Sequence, residues 1–188
     1  MKGTVLITDV QSDFGKNLAT VFSREGYKVY LTDAISPLLV KKLDFLVDTT
    51  DFRGSENMEQ TFRENVIKPM ATLEKFLPQL DAGEGKRLFY VSSAEASINE
   101  TREKSGFAYK MSKAALHQFL QMVRNRLSPE GFTLRVFDPM SGEIPADTAA
   151  ESAFLYITRR RGTENHDPNR DDETTLVLRD AEGRQHSW

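Results

Sequence analysis

The 188-residue chain has no cysteine, which excludes disulfides and thiol catalysis and fits a reducing compartment. Long apolar runs are missing too. The first, at residues 5–7, is far short of a signal segment or of the roughly 20 residues a membrane helix needs, so a soluble, cytoplasmic protein with no membrane partner is expected. A net charge of -3 favours no particular partner. Three arginines at 159–161 hint at nucleic acid, but cations at a helix end complement its dipole and no aromatics are interleaved, so no nucleic-acid binding is expected. His117, His166 and His186 sit at no metal-ligand spacing, so no metal site is expected. Repeats, a phosphate-cradling lysine loop and a nucleophile elbow are absent.

With 39% hydrophobic and 28% charged residues, one globular domain over 1–188 is expected. Residues 4–8 (TVLIT) read as a buried strand and 14–25 as a helix with Leu18, Val21 and Phe22 on one face. Gly26 closes that helix, and 28–32 form a second strand ending at Asp33. Strand, turn, helix, strand opens a doubly wound α/β sheet, in which a dinucleotide pyrophosphate lies over the first helix N-terminus. A short helix is expected within 35–43 and a strand in LDFLVDTTD at 43–51. A long helix over 56–79 carries Phe62, Val66, Leu73 and Phe76, with Pro69 kinking its middle, and Pro78 with the turn at 81–86 ends it. Later elements are a strand at 132–137, a helix from Pro145 to Arg161 capped by Asp147, and a strand at 175–178.

The centre of the chain is LFYVSSAEASINETREKSGFAYKMSKAALHQFLQMVRNRL, from Leu88 to Leu127. A buried strand stops at Ser92 and Ser93, a polar loop follows, and a helix then carries Tyr109 and Lys113 four positions apart on one face. An ammonium beside a phenol favours phenolate, drawing it down from its reference near ~10 toward values useful for proton transfer.

A serine after a strand followed by Tyr109-Lys110-Met111-Ser112-Lys113 resembles the short-chain dehydrogenase/reductase family. The sixteen positions from Ser93 to Tyr109 and the SKAAL continuation look like its C-factor-like branch. The resemblance implies a Rossmann-like parallel sheet, here of about six strands because the short 35–43 segment leaves no room for one outer strand, so the open edge moves to the second strand. It also implies an oxidoreductase acting on a carbonyl or alcohol. Tyr109 would exchange the hydroxyl proton, Lys113 would lower its pKa and touch the cofactor ribose, and Ser93 would bond the carbonyl oxygen. Asn65 would anchor a proton relay, and we expect its amide to satisfy backbone groups freed by Pro69. A homodimer through the helices carrying Asn65 and Tyr109 is the family's usual assembly.

The cofactor loop departs from the family pattern. TGxxxGxG reads Thr8 to Gly15 with only the last glycine kept, and Asp9 and Asp13 replace the other two. A carboxylate about 5 Å from a phosphate oxygen costs on the order of 3 kcal/mol at an effective dielectric near ~20. Asp13 is also a candidate helix cap that would fill the anion site. The family's NNAG reads Asp48-Thr49-Thr50-Asp51, again with aspartate for glycine, and its Pro-Gly at the end of the strand at 132–137 reads Asp138-Pro139-Met140-Ser141-Gly142. Cofactor contacts are therefore assigned to Gly15, Phe14, Asp33 and Lys113. Asp33, placed to accept from a ribose 2′-hydroxyl, favours NAD over NADP. Two functions follow: an oxidoreductase with weak or atypical nicotinamide binding, or a cofactor-free pseudoenzyme acting through dimer or partner contacts. A smaller third keeps the Tyr/Lys pair for cofactor-free proton transfer.

Overall fold

In the computed structural model, which describes residues 2–32, 35–54, 57–100, 102, 104–140, 142–159, 172 and 174–188, consecutive strand residues point to opposite sides of one sheet. Val5 and Ile7 of β1 (Thr4–Ile7) join one core cluster while Leu6 joins the other. Both faces are covered, so the strands read as nearly continuous apolar runs, as a parallel sheet requires. Helices α1 (Asp13–Arg24) and α5 (Ala146–Thr158) cover one face through Leu18, Phe22, Ala150 and Phe154. Helices α3 (Lys68–Asp81) and α4 (Phe107–Leu127) cover the other through Leu73, Phe76, Leu116 and Leu120.

The strand order is β2-β1-β3-β4-β5-β6-β7, and β1, β2 (Lys28–Leu31), β3 (Phe45–Asp48), β4 (Arg87–Val91), β5 (Thr133–Asp138) and β6 (Leu178–Asp180) run parallel to one another. The second strand is the open edge. Seven strands rather than about six stand among the described residues, because the turn after Asp180 folds β7 (Gln185–His186) back antiparallel on β6. Between β2 and β3 the described chain carries a three-residue 3-10 turn, Pro37–Leu39. Among the described residues no helix is long and apolar enough to cross a membrane.

Several boundaries differ from the sequence expectations for local reasons. Pro69 introduces no break in the middle of one helix. Instead α2 (Met58–Phe62) runs into a π-helical turn (Arg63–Ile67), where the Lys68 N–H bonds the carbonyl five residues back, and Pro69 falls in the first turn of α3. A proline has no N–H for the carbonyl four positions earlier, and the widened turn removes the need for one. Pro78 is accommodated inside α3, which ends three residues later. Ser12, not Asp13, caps α1: its hydroxyl accepts the Gly15 N–H at 3.1 Å, and Asp13 turns outward to Lys16 at 3.6 Å. Asp147 likewise lies in the first turn of α5, after Pro145, and that helix stops at Thr158 rather than Arg161. The last parallel strand starts at Leu178 rather than at 175.

Candidate active site

In a parallel sheet, ligands meet the crevice beyond the carboxyl ends of the strands. There β4 delivers Ser92 and Ser93, and Ser93 opens a 3-10 turn, Ala94–Ala96, by accepting the Glu95 N–H at 3.2 Å. The chain re-enters through Gly106, whose left-handed backbone (φ 74) starts α4 and sets Tyr109 on its first turn. Lys113 follows one turn on, with its ammonium 5.8 Å from the Tyr109 ring centre. The structure therefore brings Ser93, Tyr109 and Lys113 together, and all three are buried.

A fourth group stands among them. The Tyr109 hydroxyl donates to Asp51 Oδ1 at 2.6 Å, and Lys113 Nζ lies 3.2 Å from the same oxygen. Lys113 also donates to the Thr50 carbonyl at 2.8 Å and the Val91 carbonyl at 3.1 Å. An ammonium has three donors, and three acceptors face it. Arg53 completes the arrangement: its Nε pairs with Asp51 Oδ2 at 2.9 Å, its Nη1 with Glu95 at 2.6 Å, and its guanidinium stacks 4.1 Å from the Tyr109 ring centre.

These contacts reverse the expected tuning of the phenol. Burial and then the Asp51 carboxylate push the Tyr109 hydroxyl well above its ordinary range, while Arg53 and Ser93 oppose them only in part. Burial also raises the Asp51 carboxyl, yet Lys113, Arg53 and Tyr109 outweigh it and hold the group below its usual value. The closed site thus keeps a neutral tyrosine donating to a carboxylate, not a lysine-stabilised phenolate. Asp51 stands where the sequence pattern expects glycine, but its engagement with a side chain 58 positions away was not legible from that substitution.

Asn65 is fully buried in the π-turn and serves a different segment from the one expected. Its amide brackets Phe52, accepting that residue's N–H and donating to its carbonyl, each at 2.9 Å, and donates to Ser112 Oγ at 2.9 Å. It therefore secures the loop carrying Asp51 and Arg53 rather than backbone freed by Pro69. Ser92, beside Ser93, bonds His117 Nε2 at 2.5 Å, and burial, aided by Lys113, lowers that imidazole to about 3, so it is neutral.

The assigned cofactor residues divide. Gly15 sits where a Cβ would lie 1.9 Å from the Asp9 carbonyl oxygen, so the close approach of α1 to the β1 loop already demands glycine. Phe14 stacks on Phe137 in the core and lines a cleft of about 270 Å³ with Ser12, Pro139 and Ile144. Asp33 lies outside the described residues, as do His166, Arg160 and Arg161. A second cleft, about 520 Å³, opens beside Thr8, Asp9, Asp48, Thr50 and Asp51. A larger one, about 740 Å³, lies at the amino ends of the strands near Thr4 and Arg87, away from the converging polar groups. At the end of β5, Asp138 ties the neighbouring loops by accepting the Ala94 N–H at 2.7 Å and the Met140 N–H at 2.8 Å. Met140 holds a left-handed backbone, φ 52, so the conformation that suits the family's glycine persists with a side chain in its place.

No family model matches the chain. It is 31% identical over 99 residues to C-signal of Myxococcus xanthus, a match covering 53% of this chain and 58% of that protein. It is also 37% identical over 75 residues to an uncharacterised oxidoreductase of Saccharomyces cerevisiae, covering 40% and 29% of the two chains. A third match, 28% over 135 residues, is an uncharacterised oxidoreductase of Schizosaccharomyces pombe, covering 69% and 51%. These matches span less than two thirds of each relative's length. Among solved structures, the carbonyl reductase Sniffer of Drosophila melanogaster superposes with a TM-score of 0.78 at 16% identity, covering 99% of both chains. A carbonyl reductase of Pseudomonas aeruginosa in complex with NADP gives 0.76 at 15% identity, covering 99% of this chain and 100% of that one. Sequence and fold together support the short-chain dehydrogenase/reductase resemblance read from the motif.

Proposed function

From a chain with the short-chain dehydrogenase/reductase fold, we propose an oxidoreductase that interconverts a small carbonyl compound and its alcohol and binds its nicotinamide cofactor weakly or atypically. The observation that carries this reading is the convergence of Ser93, Tyr109 and Lys113 at the carboxyl ends of the strands. Ser93 would hold the substrate oxygen and Tyr109 would exchange its proton. Lys113 would set the charge beside both, and Asn65 would hold the loop that faces them. NAD is preferred to NADP because of Asp33, and the substrate is a small carbonyl compound or alcohol. With Asp51 in its present place, however, the donor set does not fit a cofactor ribose, since the Lys113 donors and the Tyr109 hydroxyl are already engaged.

The test is a calorimetric titration with NADH and NADPH, followed by turnover on a panel of aldehydes and ketones. Binding in the micromolar to millimolar range is expected, with Tyr109→Phe lowering turnover by about a hundredfold or more while binding changes little. Turnover unaffected by Tyr109→Phe would rule this reading out.

The occupied Lys113 and Tyr109 favour a second reading, a pseudoenzyme that uses the same fold for association. Phe107 and Met111 are neighbours on one face of α4, 63% and 51% exposed, and Ile67 on the π-turn is 57% exposed. A homodimer through these helices is expected under either reading. Sedimentation should show a dimer that Phe107→Glu dissociates, and a monomer at all concentrations would eliminate it.

A further inference from the structure

We propose that residues 51–53 form a latch on the reaction centre: Asp51 engages the Tyr109 and Lys113 donors that a cofactor ribose would need, and Arg53 fastens the segment to Glu95. This inference rests on the oxidoreductase reading above and explains its weak cofactor binding by internal competition. One carboxylate oxygen meets both Tyr109 and Lys113, and the other meets Arg53. Arg53 then bridges from the end of β3 across the face of the Tyr109 ring to the turn that follows Ser93. The latch therefore spans the reaction centre and ties together the two loops that flank it.

Its charges explain why it closes and what opens it. Lys113 and Arg53 are balanced by Asp51 and Glu95, so the closed site leaves no cation of this group unmatched. Asp51 is only 14% exposed, and a buried carboxylate is held there by its partners rather than by water. Turning the Asp51 side chain away from Lys113, about a backbone that Asn65 holds in place, leaves that buried cation to an incoming ligand. An anionic dinucleotide offers compensation that a neutral molecule of the same shape does not. The affinity is thus the intrinsic one multiplied by the fraction of molecules that are unlatched, and any change that raises this fraction raises affinity in proportion. Asn65, clamped on both polar groups of the Phe52 backbone, is the fixed point of the segment.

Two variants of the full chain test the latch. Asp51→Asn keeps the side-chain shape and removes the charge, and Glu95→Gln releases the outer fastening while leaving Asp51 in place. Calorimetry is expected to show NADH binding tightened about tenfold by Asp51→Asn and about threefold by Glu95→Gln. Independently of any cofactor, Asp51→Asn should bring the Tyr109 hydroxyl down toward the ordinary phenol range. That shift is read by ultraviolet difference titration against Tyr109→Phe in the same background. A wild type that binds NADH, with both variants binding it no more tightly, overturns the latch and leaves the oxidoreductase reading standing. Failure of wild type and both variants to bind either nucleotide at millimolar concentration overturns that reading and the latch with it. A Tyr109 titration unmoved by Asp51→Asn also overturns the latch.

Discussion

Exchange of Lys113 for methionine is expected to lower the unfolding free energy by about 3–5 kcal/mol, the cost of removing one partner from a buried ion pair. Methionine nearly matches the lysine stem in volume, so a cavity contributes little. The loss comes from the acceptors. The side chain is fully buried, and its removal takes the ammonium from Asp51 Oδ1, leaving that carboxylate's charge to Arg53 alone, and leaves the Thr50 and Val91 carbonyls without this donor. Urea unfolding at neutral pH measures the effect. The double variant Lys113→Met with Asp51→Asn should recover part of the loss, because the charge that lost its ammonium has gone. Equal stability of wild type and Lys113→Met would mean that the ammonium is not held by these acceptors. Lys113 thus has a structural role sufficient to retain it in a chain that has stopped catalysing, so its presence in the motif does not by itself establish turnover.

Gly15→Ala is expected to destabilise the fold by about 3 kcal/mol, at the upper end of overpacking costs. The added methyl would stand 1.9 Å from the Asp9 carbonyl oxygen and 3.0 Å from Ser12 Oγ. The first of these is backbone, held in place because Thr49 Oγ1 donates to it at 2.7 Å, so it cannot yield as a flexible side chain would. Gly54→Ala is the control: among the described residues its Cβ would meet the Phe52 ring at 3.5 Å, an ordinary contact, and a change within about 0.5 kcal/mol is expected. Thermal or urea unfolding of the two variants separates the cases, and equal midpoints would show that the loop between β1 and α1 relaxes freely. The one glycine kept in the degenerate cofactor loop is thus explained by the approach of helix to strand. Its survival says nothing about phosphate binding.

The outcome of these variants bears on how the chain's local signals should be weighed. Periodicity within a few residues made β1, α1, β4 and α4 legible, along with the i, i+4 placement of Tyr109 and Lys113 and the serine at the end of β4. The missing room between β2 and β3 likewise placed the open edge correctly. Each of these depends on contacts along one element, where spacing alone determines which side chains share a face. Adjacent candidates were harder: Ser12 and Asp13 are both good caps, and only the path of the loop leaving β1 selects the serine.

By itself the sequence determined the order of the six parallel strands and their helices and the shared face of Tyr109 and Lys113, while the family resemblance added Ser93 to that pair. Tertiary structure alone decided the state of these three groups. Asp51, Arg53 and Glu95 reach them from two different loops, and Asn65 anchors one of those loops from a third element. A phenol's acidity depends on burial and on every charge that approaches through space, and neither quantity is encoded in the four-residue spacing that put a lysine beside it.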